Sequence, residues 1–172
     1  MIGLELLNEV GSLILSNLMF HSDSKNSCHK LGYNGFKRWH RYASREDFEV
    51  VGKVEAHIVE YFDVKPVFTS TYIETMPTSL AEHLNAWYER EFSKFLRLND
   101  IKSILETNRM YVEAELVQCI IVMVLYEVKK IKRVIKDMEN VSYNPHHISI
   151  VDMKLHCKYK KKERDKQGKN IK

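Results

Sequence analysis

Two pairs of oxygen-bearing side chains stand three residues apart in this sequence, Glu46 with Glu49 and Glu115 with Gln118. Residues i and i+3 of a helix share a face, so on helical segments each pair presents two oxygen ligands together. Carboxylates suit Fe, Mn or Mg, and clustering them inside a protein is costly unless a cation compensates. The same residues also fit a solvated flank, with Arg45 and Lys53 as ion-pair partners at helical spacing. Glu89 and Glu91, which flank Arg90, fit surface charges in the same way. Spacing alone leaves both readings open.

Other metal-binding residue types are present. Among eight histidines and three cysteines, Cys28-His29, His146-His147 and His156-Cys157 are adjacent pairs. Thiolate and imidazole together can hold zinc, but these spacings match no zinc module. His21 and His57 sit at inward-leaning helical positions and fit satisfied core histidines. Without a CxxC pair or a disulfide framework, the cysteines point to a reducing, intracellular setting. The N-terminus lacks a basic stretch and a small-residue cleavage site, which argues against a signal peptide and for a cytoplasmic protein.

These candidates need helices to position them. The chain has 172 residues, 44% apolar and 29% charged, with only six Gly and three Pro. That composition excludes a disordered tract, and so few turn residues argue against an all-β fold. Leu4, Leu7, Val10, Ile14, Leu18 and His21 fall at helical spacing. A second helix opens after Asn34-Gly35 and runs to about Phe62, where Lys65-Pro66 stops it. Residues 66–77 read as an extended crossover. Thr78 or Ser79 with Glu82 forms a capping box for a third helix to about Leu98. Asn99-Asp100 is expected to interrupt it, with a fourth helix from about Ile104 to Met138. The run Leu116–Leu125 is about half the length needed to cross a bilayer, so it is expected to be a helix buried on every side, at the centre of the bundle or against another copy. The expected organisation is an all-α four-helix bundle over 1–140, a short segment 141–155 and a flexible basic tail 156–172. A long connection between helices 2 and 3 is the layout of a ferritin-like bundle.

Scattered positions then resemble the bacterial-type ferritins. Leu6-Leu7-Asn8-Glu9 with Leu13 resembles that family's first helix, and Gly35-Phe36-Lys37-Arg38-Trp39 through Ala43 to Glu46 resembles its second. Ser79-Leu80-Ala81-Glu82 with Tyr88 and Glu91 is similar to the third helix, and Tyr111-Val112 before Glu115 and Gln118 to the fourth. The resemblance covers about residues 4 to 138. It implies a di-iron centre whose ligands fall on Glu46, Glu49, Glu91, Glu115 and Gln118. The first-helix glutamate falls on Ile14, which cannot bind metal, and Glu49 stands where a histidine is expected.

The implied function is a homo-oligomeric, iron-binding storage protein, a ferroxidase if the altered centre works. The alternatives are a non-catalytic assembly of the same fold, a nucleic-acid-associated protein or a plain helical interaction module. The nucleic-acid reading rests on the tail. Residues 156–172 carry a charge of +6 and the rest of the chain −2. Lys158, Lys160, Lys161, Lys162 and Arg164 are its candidates for neutralising phosphate.

Overall fold

The computed structural model describes residues 2–73, 77 and 79–169. Five helices follow one another: α1 (Ile2–Lys30), α2 (Asn34–Phe62), α3 (Leu80–Thr107), α4 (Tyr111–Glu139) and α5 (Pro145–Lys169). Helix α1 pairs with α2, α3 with α4, and α5 lies along α2. Gly32, at φ +81°, turns the chain between the first pair. Residues 63–73 contain no helix and return the chain along α1. The long-crossover, all-α bundle expected from the sequence is the architecture observed.

The crossover is held by a match of two rises. Val67 donates its backbone N–H to Asn8 Oδ1 (2.8 Å), Thr69 to Ser12 Oγ (3.0 Å) and Thr71 to Ser16 Oγ (2.9 Å). Four residues of helix rise about 6 Å and two extended residues about 6.6 Å, so alternate N–H groups meet successive turns of α1. An extended segment without a sheet partner thus satisfies half of its donors on helix side chains. Between these rungs the Phe68 ring lies on Gly11, where a Cβ would stand 2.2 Å from it.

Three local expectations are corrected. Helix α3 runs through Asn99-Asp100, both exposed, because Leu98, Ile101 and Leu105 keep the buried stripe in phase. The break comes at Asn108 and Arg109, the latter at φ +60°, and α4 starts at Tyr111. The run Leu116–Leu125 is buried on one face only: Val117, Ile120, Ile121 and Val124 face inward, while Cys119, Val122 and Met123 are exposed. The stretch from 145 to 169 is one helix instead of a short segment and a flexible tail. Pro145 occupies its first position, where a missing N–H is harmless, and Asn144 Oδ1 accepts from the N–H of His146 (2.9 Å). Ser79 caps α3 by accepting from Glu82 N–H (3.2 Å), whereas Met76 and Thr78 lie outside the described residues.

Helix α5 is seated by apolar and polar contacts together. Leu155 and Tyr159 are buried, and the Tyr159 ring stacks on Trp39 of α2, centroids 6.0 Å apart. Asp152 Oδ1 accepts from the N–H groups of Gly35 (2.8 Å) and Phe36 (3.0 Å). It caps the positive end of α2 from another helix.

The interior divides in two. One end is aliphatic, with Leu7, Val54, Leu105 and Val117 at its centre, and the other is aromatic, built on Phe36, Trp39, Trp87 and Tyr159. Gly11→Ala is expected to destabilise the fold by about 1–3 kcal/mol in urea unfolding, the usual cost of overpacking. It should cost clearly less in a Phe68→Ala background, and equal costs would remove the ring's close approach as the cause.

Candidate functional site

A polar layer lies between the two apolar ends. Helix periodicity brings Asn17 and His21 of α1, His40 and Asp47 of α2, His83, Glu91 and Lys94 of α3, and Glu127 and Lys130 of α4 toward one another. The layer borders a cavity of ≈ 110 Å³, whose lining includes Asn17, Asp47, Glu91, Lys94, Glu127 and Lys130.

Three carboxylates and two ammonium groups make up the charge. Lys94 Nζ lies 2.8 Å from Glu91 Oε2, with both side chains almost fully buried. Lys130 pairs with Glu127 Oε2, and Trp39 donates its indole N–H to Glu127 Oε1 (2.6 Å). The Asn17 amide donates to Asp47 Oδ2 and Glu91 Oε1, each at 2.8 Å. Both oxygens of Glu91 and both of Glu127 therefore already accept from the protein. Burial alone would lower the Lys94 ammonium, but Glu91 and Asp47 outweigh it and hold its pKa above the usual lysine value. Burial, with a contribution from Glu91, pushes the Asp47 carboxyl up to about 7. Burial likewise raises Glu127 against the pull of Lys130.

This donor set does not fit a pair of metal ions. The carboxylate lone pairs are spent on Lys94, Lys130, Trp39 and Asn17, and the position three residues after Asp47 is the apolar Val50. Bringing two divalent cations beside the buried Lys94 and half-buried Lys130 ammonium groups would add repulsion to a cluster already close to neutral. The buried Asn17 Oδ1 has no hydrogen-bond partner, and Asn17 is among the residues lining the cavity.

The residues singled out from the sequence are dispersed. Glu91 is buried in the layer, and half-buried Glu46 lines the cavity beside it. Glu49 is exposed on α2, and Glu115 and Gln118 are exposed on α4. Glu115 lies twelve residues from Glu127, about 18 Å along the helix. Ile14 lines the cavity, but the α1 residue that reaches the carboxylates is Asn17, one turn further on. Sequence reasoning missed Asn17, Asp47, Lys94, Glu127 and Lys130. The available signal was the repeated Glu-x-x-Lys, Glu91/Lys94 and Glu127/Lys130, on the apolar stripes of two helices. Of the basic residues of 156–172, Lys158 lies over the Tyr159 ring and Lys162 over Tyr42 and Tyr159, while Lys160, Lys161 and Arg164 are exposed.

The titrating groups of the layer pull stability in opposite directions. Burial lowers His21 and His40 well below 6.5 and brings His83 to about 4. The unfolded chain therefore takes up more protons on these histidines as pH falls, and acid destabilises the fold. Asp47 opposes this, because its folded pKa of about 7 lies above its ordinary 3.8 and the folded state holds the extra proton. Asp47→Asn is expected to steepen the rise of unfolding free energy between about pH 5 and 6.5 by about 1 kcal/mol per pH unit. A slope unchanged from the native chain in urea titrations would contradict this assignment.

No family model and no curated protein sequence matches this chain. Solved structures do. An open-pore ferritin from the hyperthermophilic archaeon Archaeoglobus fulgidus superposes with a TM-score of 0.83 at 13% identity, covering 90% of this chain and 95% of that one. The Rhodobacter capsulatus bacterioferritin, described with a metal-free dinuclear site and haem iron, gives a TM-score of 0.79 at 13% identity, covering 87% and 92%. Long crossover, helix order and near-complete superposition agree: the chain has the ferritin-like fold.

Proposed function

We propose that this chain is a non-oxidising subunit of a ferritin-like iron-storage assembly, with iron as cargo and no di-iron oxidase centre of its own. The observation that carries this reading is Lys94, whose buried ammonium lies 2.8 Å from Glu91 in the layer where the resemblance implied metal. A fixed ammonium supplies the compensation that clustered carboxylates need, but it neither accepts an electron nor exchanges ligands with O₂. The fold supports the storage role.

Assembly with further copies is supported by exposed apolar side chains. Phe48, Val59 and Tyr61 on α2 and Val122, Met123 and Tyr126 on α4 are all exposed. Exposed apolar side chains that adjoin one another mark contact surfaces more often than free ones. The nucleic-acid reading has less support, since Lys158 and Lys162 are engaged with the rings of Tyr42 and Tyr159. Among the described residues no helix is long and apolar enough to cross a membrane.

Two measurements test the proposal. Anaerobic Fe(II) is mixed with the protein, O₂ is admitted, and the ferric absorbance is followed. The expected rate equals that of buffer and is the same for Glu91→Ala. Rapid oxidation that Glu91→Ala abolishes would overturn the non-oxidising assignment. In sedimentation the protein is expected to run as a multimer of the 20.4 kDa chain. A monomer at micromolar concentration would contradict the assembly.

A further inference from the structure

At the histidine side of the polar layer, one cluster of donor atoms is built from three helices and is not used by the ion pairs. Cys28 from the end of α1, His40 from α2 and His83 from the first turns of α3 offer ligand atoms that all lie within 4.8 Å of one another. His40 Nε2 stands 2.7 Å from His83 Nε2, and Cys28 Sγ stands 3.9 Å from the same nitrogen. All three side chains are buried, at 1%, 0% and 2% exposure. The three stand 12 and 43 residues apart along the chain, so the site is invisible to motif spacing.

We propose that Cys28, His40 and His83 form a zinc site, with one thiolate and two imidazoles as ligands and one position left open. Zn–N bonds of about 2.0–2.1 Å and Zn–S of about 2.3 Å set tetrahedral separations near 3.3 Å between nitrogens and 3.6 Å between sulfur and nitrogen. The two imidazoles therefore open by roughly half an ångström and the thiol closes by less. The donor set, soft and without a carboxylate, favours a zinc-like ion over iron or manganese. The rings are already oriented for it. His83 stacks on Phe20 with the planes 9° apart, and the His40 ring lies 4.0 Å from Trp87.

The hydrogen-bond chain behind His40 suits a bound ion. With both Nε2 lone pairs given to the metal, His40 keeps its proton on Nδ1 and donates to His21 Nδ1, 2.8 Å away. His21 then carries its own proton on Nε2, whose nearest polar neighbour is the Asn17 amide nitrogen at 3.1 Å. Asp47 Oδ2 at 3.6 Å and Glu91 Oε1 at 3.8 Å are both beyond hydrogen-bond reach, so metal binding requires the Asn17 amide to turn. A ligating imidazole whose other ring N–H is accepted by a fixed neighbour, here His21, has the outer-shell support usual for a metal site. Binding releases the Cys28 thiol proton to solvent.

The test uses the full chain carrying Cys119→Ser and Cys157→Ser, which removes both exposed thiols. It is produced in zinc-depleted medium supplemented with Co(II), a spectroscopic stand-in for zinc. One Co(II) per chain is expected, with tetrahedral visible bands and a thiolate-to-metal charge-transfer band in the near ultraviolet, both lost on exchange with Zn(II). Adding Cys28→Ser is expected to abolish the charge-transfer band, and His83→Gln to lower the Co(II) content at least tenfold. The mid-bundle carboxylates cannot supply a thiolate band, so binding there is distinguished. Absence of that band in the Cys119→Ser/Cys157→Ser chain, which needs no further variant to fold, would overturn the proposal. So would its persistence in Cys28→Ser.

Discussion

A buried ammonium against a buried carboxylate, Lys94 on Glu91, is the contact on which the middle of this bundle depends. Removing two charges from water is expensive, and their attraction offsets the cost only when the remaining lone pairs are also satisfied. The surrounding residues meet that condition: Asn17 takes the other oxygen of Glu91 and one of Asp47, while Trp39 and Lys130 take those of Glu127. The apolar ends on either side then close over a layer that is nearly neutral as built. A cluster of carboxylates can be balanced by a metal or by lysines, and in this chain lysines stand at the balancing positions.

The fifth helix ties into the same arrangement. Asp152 caps α2, and its approach is so close that a Cβ on Gly35 would stand 1.8 Å from the Asp152 carbonyl oxygen. Tyr159 then packs on the Trp39 ring whose indole N–H holds Glu127. Arg38 donates to Glu163 at 2.6 Å, fixing the helix further along. A stretch that reads by composition as a basic tail thus supports the position of a residue in the polar layer. Its neutral inner face, Ile148, Leu155 and Tyr159, matters more to the fold than its charge.

How much of this was legible follows from where the information lies. The helices, the long crossover and the Ser79 cap are local, set by periodicity, Pro66 and a hydroxyl three residues before Glu82. The end of α3 was not, because Leu98, Ile101 and Leu105 carry the buried stripe past Asn99-Asp100 and tertiary packing outweighs their weak helix propensity. Helix α5 was missed because lysines dominate its composition while three buried residues decide its seat. Within the site, Glu91 is buried and Glu46 lines the cavity, while Glu49, one turn on from Glu46 on the same helix, is exposed. Glu127 was missed because α4 offers several acidic residues, and only three-dimensional stagger shows which of them shares a level with Glu91. Cys28, His40 and His83 are far apart in sequence, so only the packing of α1, α2 and α3 brings them together.

The central claim is that Lys94 occupies the role a cation would have. Thermal or urea unfolding of the native chain and of Lys94→Ala, each with and without Mn(II), tests it most directly. Removing one partner of a buried pair is expected to cost about 3–5 kcal/mol without metal. Mn(II) is expected to restore part of that loss in Lys94→Ala and to leave the native chain unchanged. Stabilisation of the native chain by Mn(II) that Glu91→Gln abolishes, or a Lys94→Ala chain as stable as the native one without metal, would contradict the account.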